Sequence, residues 1–429
     1  MKAISFSLAT LCLLCAQVPL GAQQLADLQR AAEEADPRFS ELRLQQVQAD
    51  LRIANILAER RPSIAAEALA QYQSDVPTPP PFLPGGKPLF LPPKGTLDAF
   101  VRVDQHVFDP TLGTREAVER AQLAEGQARV HSALFGLRQE VNDAFFAAAL
   151  LQERSRALLA TIAELEARLN ETNARVREGA ALASDAAAVE ATLLQRRQDH
   201  DELRVNRATA LKRLSDLTGR AITDQDVLPM PDLRASVNVA RNAATLPHAR
   251  PEYDQFARAQ ERLARQQDAA TAQERPRLSA FARAGYGRPG LNFIADAFQT
   301  YGLAGLQLQW KAWTWGAAGR EREALEIQQQ IAAADEAAFT RAVSRATDGD
   351  TAIIDRVANA LALDDRIVDL REEIARITEI RFRAGAVTVS EYLDRSTELL
   401  TARFARAGHQ VELADASARF LTTLGLEVR

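Results

Sequence analysis

The chain has 429 residues, 47% of them hydrophobic and 25% charged, with a formal net charge of −5. That balance excludes a disordered polyelectrolyte, and the negative sign argues against nucleic acid as a partner, because phosphate binding calls for a basic surface. Both cysteines, Cys12 and Cys15, lie close to the N-terminus, which removes thiol chemistry from the rest of the chain.

The opening stretch MKAISFSLATLCLLCAQVPLGAQQ carries one lysine, an apolar run and small residues at Gly21 and Ala22. This is the layout of a secretory signal peptide over residues 1–22. Its cleavage would leave a mature chain with no disulfide, thiolate metal site or cysteine nucleophile. Neither cysteine follows the small residues that precede an acylated cysteine, so no lipid anchor is expected. Beyond this stretch no apolar run approaches the roughly 18 residues of a membrane helix, and any membrane span must be made of strands.

Further along, a helix is expected from Pro37 to about Glu59, with proline at its first position. After Pro62 the pattern changes to period two: Ile64, Ala66, Ala68, Ala70 and Tyr72 share one face, and Ser63, Glu67, Gln71 and Gln73 the other. The proline-rich run VPTPPPFLPGGKPLFLPPKG reads as a loop. A second strand follows in LDAFVRVDQHVF, where Ala99, Val101, Val103 and Val107 oppose Asp98, Arg102, Asp104 and His106.

From about Thr114 to Arg177 there is no proline, which predicts one helix of roughly 64 residues, about 95 Å long. It stops at Gly179, and a returning helix runs from Ser184 and Asp185 to about Leu217. Glycine suits a left-handed C-terminal cap, serine caps the next helix, and the acid faces its positive end. The aperiodic, proline-punctuated stretch GRAITDQDVLPMPDLRASVNVARNAATLP reads as a linker or small belt, residues 220–248.

The remainder says much the same again. A helix is expected from Pro251 to about Glu274. After Pro276, Leu278, Ala280, Ala282, Ala284 and Tyr286 oppose Ser279 and Arg283; in LAGLQLQWK, Leu306, Leu308 and Trp310 oppose Gln307, Gln309 and Lys311. A second long helix spans Arg320 to Arg383, turns at Gly385, and returns from Ser390 and Glu391 to about Leu424. RFRAGAVTVSEYLDRSTELLTAR, from Arg381, echoes RVREGAALASDAAAVEATLLQRR, from Arg175: Gly179, Ser184 and Gly219 recur at one fixed interval as Gly385, Ser390 and Gly425. Such an echo indicates a duplication, with repeats at 23–219 and 249–429. A short upstream helix and a returning helix laid end to end come close to one long helix, so four near-equal rods can pack side by side.

Strands with one apolar and one wet face fit either a transmembrane barrel holding water or a soluble sandwich on a helical core. The barrel is favoured by the clustering of Trp310, Trp313 and Trp315 where the last strand meets a long helix, as an interfacial belt requires. Long loops at one end of the strands, helices at the other, and the signal peptide point the same way. Four strands cannot close a barrel, because about eight is the minimum; two chains would fill the interior, whereas three give about 12 strands and an open lumen.

The tip pattern, arginine-x-x-x-glycine followed by serine and an acid, occurs at Arg175 to Asp185 and at Arg381 to Glu391. With the junctions VFDPTLGTREA and WTWGAAGRE and the prolines before the first and third strands, it resembles the TolC-type outer membrane efflux proteins over nearly all of the mature chain. The resemblance implies a mainly α chain with a small transmembrane β part. It would form a homotrimer whose barrel of about 12 strands, four per chain, is continuous with a long α-helical tunnel. The location implied is the outer membrane of a Gram-negative bacterium, with the helices in the periplasm. The role implied is a passive exit duct of a tripartite efflux or type I secretion system, without enzymatic activity or cofactor.

On the same resemblance, Gly179, Ala180, Ala181 and Leu182, with Gly385, Ala386, Val387 and Ser390, form the tip turns that dock a periplasmic adaptor (membrane fusion protein). An inner-membrane ABC or proton-driven transporter would supply energy. Glu391, Asp394, Asp185 and Ser184 fall at the pore constriction. Glu391 and Asp394 are three apart on one helix face, and repeated by threefold symmetry they would make a cation-attracting ring. The residue-level alternative is a solvated face paired with Arg395 or Arg383. Phe382 and Val387 stand where some members carry the tyrosine and arginine that tie closed tips together.

Other signals point nowhere. GYGRPG at Gly285 to Gly290 has the letters of a dinucleotide loop but does not open a helix. His106, His131, His200, His248 and His409 are scattered without paired spacing, so no metal or catalytic centre is expected. The alternative to the channel is a periplasmic coiled-coil adaptor or scaffold that never enters a membrane; it has no need of four alternating strands.

Overall fold

The computed structural model describes residues 24–77, 92–243, 249–292 and 296–428. The signal-peptide stretch 1–22, most of the proline-rich run, and His248 lie outside the described residues. The elements are α1 (Leu25–Ala35), α2 (Phe39–Ala58), β1 (Ser63–Tyr72), β2 (Gly95–Phe108), α3 (Pro110–Arg177), α4 (Ala183–Thr218), α5 (Arg234–Arg241), α6 (Pro251–Ala272), β3 (Arg277–Arg288), β4 (Gln299–Gln309), α7 (Ala317–Arg383) and α8 (Val389–Thr423). One order, helix, two strands, long helix, returning helix, thus occurs twice, and the long helices have 68 and 67 residues. Among the described residues no helix is long and apolar enough to cross a membrane.

One helix start agrees with expectation, and one differs for a local reason. Pro251 opens α6, but Pro37 does not open α2. The Asp36 carboxylate accepts from the Arg38 backbone N–H and from its guanidinium, both at 2.8 Å, which holds a turn there, and the helix starts at Phe39. The Arg38 hydrogen bond also holds the Asp36 carboxyl below its ordinary range.

The chain forms two compact units, and each draws on both halves of the sequence. The first comprises residues up to Phe39, Ala133–Arg250 and Thr340–Arg429, and it is helical. Its main core joins Val141 and Phe145 of α3, Leu211 and Leu214 of α4, and Phe420 and Leu421 of α8, all nearly inaccessible. Alanines at 144, 148, 416 and 418 lie in the same core and allow close helix approach. Each fully buried leucine or phenylalanine contributes about 1.5–3 kcal/mol. Asn142, fully buried, accepts from Gln29 Nε2 at 2.6 Å and donates to Thr422 Oγ1 at 3.2 Å, linking α1, α3 and α8. Buried amides are kept only when satisfied in this way.

The second unit comprises Ser40–Ser132 and Pro251–Phe339. It holds one antiparallel sheet in the order β1-β2-β3-β4. Ala68 faces Ala99, Val103 faces Ala282, and Ala282 faces Ala304. The β2–β3 pairing joins the two sequence halves, and its register shifts between His106 and Phe108, the kind of bulge found at sheet ends. Below the sheet, Arg115 of α3 grips Glu59 with two hydrogen bonds of 2.6 and 2.8 Å.

Candidate functional site

In the helical unit, the tips are built by backbone geometry. Gly179 and Gly385 have φ of 71° and 74°, a conformation that costs a residue with a side chain about 1–2 kcal/mol. It lets the Ala180 N–H reach the Arg175 carbonyl and the Ala386 N–H reach the Arg381 carbonyl, both at 2.8 Å. These are Schellman closures. Gly179, Ala180, Leu182, Gly385, Ala386 and Ser390 are exposed, Ala181 is half-buried, and Val387 packs partly against the apolar cluster at this end.

The caps differ from the sequence expectation. Ser184 and Ser390 both lie inside the first helical turn and are exposed. Asp185 does the capping of α4, accepting from the Leu182 N–H at 3.3 Å, and Thr388 Oγ1 caps α8, accepting from the Glu391 N–H at 3.2 Å. Asp185 is therefore engaged with its own helix terminus.

Glu391 is half-buried and Asp394 exposed. Among the described residues neither carboxylate has a hydrogen-bond or ion-pair partner, and both candidate partners are taken. Arg395 bonds Glu398 at 3.0 Å and holds that carboxyl below its ordinary range; Arg383 bonds Glu379 at 2.8 Å and approaches Glu171 at 3.7 Å. The two acids have no bonded partner near the start of α8, and the Arg395 guanidinium attracts them only through space.

Sequence reasoning does not find the group that joins the hairpins. Arg168 of α3 is only 4% exposed and forms ion pairs with Glu171 and with Glu379 of α7. Its guanidinium lies 5.1 Å from the Tyr392 ring and 5.9 Å from the Phe382 ring, and those rings stack at 5.3 Å and 17°. Burial opposes the charge, yet contacts with Tyr392, Glu171 and Glu379 outweigh it and raise the arginine's pKa. Burial pushes the Tyr392 phenol up. Around this group Leu158, Leu165, Val189 and Leu193 complete an apolar cluster.

In the strand unit, the register sorts side chains by face. One face carries Ile64, Ala66, Ala68, Ala70 and Tyr72; Leu97, Ala99, Val101 and Val103; Leu278, Ala280, Ala282, Ala284 and Tyr286; and Ala304, Leu306 and Leu308. Its large members are exposed, Ile64 at 73% and Leu306 at 70%. Exposed apolar patches of this kind mark contact with lipid or with another protein. The other face carries Glu67, Asp98, Arg102, Asp104 and Arg283, with Arg102 paired to Asp104 at 2.8 Å.

Where β4 runs into α7, Trp310 Nε1 donates to the Glu274 carbonyl at 3.0 Å. Trp313 and Trp315 meet edge to face at 5.8 Å and are 75% and 80% exposed. Trp315 has φ of 53° and Gly316 of 73°, a left-handed pair that turns the chain into α7. The tryptophans follow the end of β4, at one end of the apolar strand face.

No family model matches the sequence, and no curated protein matches it. Solved structures do. The outer membrane protein VceC from Vibrio cholerae is 15% identical, with 94% of this chain covering 97% of that one at a TM-score of 0.65. CusC is 14% identical over 94% and 92% of the two chains, with a TM-score of 0.67. The Neisseria gonorrhoeae MtrE outer membrane channel in its open state is 16% identical over 94% and 89%, with a TM-score of 0.64. At such identities the likeness is one of architecture, and the chain has the fold of these outer membrane channels.

Proposed function

We propose that this chain is an outer membrane factor of the TolC type: a homotrimeric channel that serves as the passive exit of an efflux system. The observation that carries the reading is the sheet itself. Its four strands present one continuous apolar, exposed face and one charged face, and both edge strands are open. In lipid every backbone group needs a partner, so such a sheet is satisfied only when copies close into a ring. Three copies give about 12 strands and a water-filled lumen. The protein would sit in the outer membrane of a Gram-negative bacterium, its apolar strand face against lipid and its helices in the periplasm.

In this reading the tips at Gly179–Leu182 and Gly385–Ser390 dock a periplasmic adaptor, and an inner-membrane ABC or proton-driven transporter supplies energy. Glu391 and Asp394 line the constriction, where threefold repetition of unpaired carboxylates attracts cations. Type I secretion would use the same parts. The strand face weighs against an adaptor that never enters a membrane, because such a protein would leave Ile64, Leu306 and Leu308 in water.

The test is the native mass of the protein extracted from outer membranes in mild detergent. A mass of three chains, after subtraction of detergent, supports the shared barrel; a monomer recovered without detergent removes it.

A further inference from the structure

We propose that Phe100, Phe281, Arg283 and Tyr301, with Asp98, form a flat, charge-cancelled girdle that sets the bore of the barrel and leaves its wall without net charge. This rests on the reading of the sheet as a barrel segment with its charged face inward. The pairing register puts Asp98 and Phe100 of β2, Phe281, Arg283, Gly285 and Gly287 of β3, and Tyr301 and Gly305 of β4 on that face. Arg283 forms an ion pair with Asp98, whose carboxylate accepts from Tyr301 Oη at 2.7 Å. The guanidinium carbon lies 3.4 Å from the centroid of the Phe100 ring and 5.4 Å from that of Tyr301.

Side chains of this length ordinarily stand off a sheet. Here they lie along it because the neighbouring positions are glycine. A Cβ at Gly285 would stand 2.7 Å from Phe100 Cβ and 2.7 Å from the Tyr301 ring. One at Gly305 would stand 2.8 Å from the Phe281 ring, and one at Gly287 2.6 Å from the Asp98 carboxylate. Gly302, on the opposite face of β4, has nothing within 4 Å of its would-be Cβ. The space is therefore cleared only on the charged face, and the rings are laid against the wall where they leave the lumen open.

The charges on this face also cancel. Its strand positions carry Glu67, Asp98 and Asp104 against Arg102, Arg277 and Arg283. The wall then adds no net field, and ion preference falls to the tip acids.

The experiment is single-channel recording of the full chain in planar bilayers, with conductance and reversal potential read in a KCl gradient. Gly305→Ala pushes the Phe281 ring off the wall, and conductance falls by at least about one fifth. Gly302→Ala conducts as wild type, and Phe281→Ala combined with Gly305→Ala recovers the wild-type value. Asp98→Asn, which needs no new space, uncovers Arg283 and moves the reversal potential toward anions. Unchanged conductance in Gly305→Ala together with an unchanged reversal potential in Asp98→Asn overturns the girdle while the channel stands. If the wild-type protein forms no channel at all, the barrel reading falls and takes the girdle with it.

Discussion

The Arg168 guanidinium of α3 lies 5.1 Å from the Tyr392 ring of α8, so a residue of the first sequence half is held by an aromatic of the second. Removing a buried charge's partner leaves the other groups unsatisfied. Arg168→Met leaves Glu379 with Arg383 as its remaining partner and strips the Phe382 and Tyr392 rings of their cation. Because Glu171 and Glu379 are partly solvated, the loss is smaller than for a sealed pair, about 1–3 kcal/mol. Arg168→Lys keeps the charge without the fork and falls between the two. Chemical denaturation in detergent, followed by limited proteolysis at the tips, checks this; an Arg168→Met protein as stable as wild type would refute it.

Glycines of the same backbone type separate strain from crowding. Gly179, Gly385 and Gly425 all have positive φ, but only at Gly425 would a Cβ collide, at 2.6 Å from the Ala249 carbonyl carbon and the Arg250 nitrogen. Alanine at Gly179 or Gly385 is expected to cost about 1 kcal/mol, from backbone strain alone. Alanine at Gly425 adds a clash with immobile backbone and costs roughly 3 kcal/mol. Melting curves of the three variants decide it, and equal losses would count against the steric argument.

Asp350 of α7 and Asp415 of α8 share Arg419, at 3.8 and 3.1 Å. Burial pushes both carboxyls up; Thr423 and Arg419 work against the shift at Asp350, while Asp143 adds to it at Asp415. A folded-state value above the ordinary 3.8 means that stability is fully present below that value and declines as pH rises through the raised one. Asp350→Asn removes the ionisation, and its amide oxygen still accepts from Thr423. The melting temperature of the variant relative to wild type should therefore climb between about pH 4 and pH 7. A difference that is flat, or falls, over that range contradicts the assignment.

The tip acids give an electrical prediction. Glu391 and Asp394 are unpaired while Arg395 and Arg383 are occupied elsewhere. Glu391→Gln with Asp394→Asn should reduce cation preference in a salt gradient, whereas Asp185→Asn, which alters a helix cap, should lower stability by about 0.5–1 kcal/mol with little change in selectivity. Reversal potentials of the two variants, compared side by side, check both halves of the statement; unchanged selectivity in the double variant removes the ring.

The parts legible in the sequence are those with a local period. Alternation assigns Ile64, Val101, Ala282 and Leu306 to one face before any pairing is known, and the register agrees. Proline-free runs bounded by Gly179 and Gly385 mark the long helices for the same reason. Caps are less legible: Thr388 and Ser390 are both good candidates two residues apart, and the choice depends on where the backbone leaves the extended region. α1 hides beside the leader-like N-terminus, although Leu25, Leu28 and Ala32 carry a helical spacing and are buried. The Arg168, Phe382 and Tyr392 group has no local signature at all, because its members come from three helices and meet only when the hairpins pack.

The open edges of β1 and β4 bear on how the molecule is made. Along β1, β2, β3 and β4 the strand direction alternates, so the two edges run antiparallel to one another, and β4 of one copy can pair with β1 of the next without reversing either. Such a head-to-tail contact closes into a ring when the rotation per copy divides a full circle. In the proposed barrel the last rows of backbone hydrogen bonds in the sheet are then formed between chains, and a single chain would not finish that part alone. On that reading final folding of the strands would be a bimolecular or higher-order event, its rate rising with the amount of protein in the bilayer.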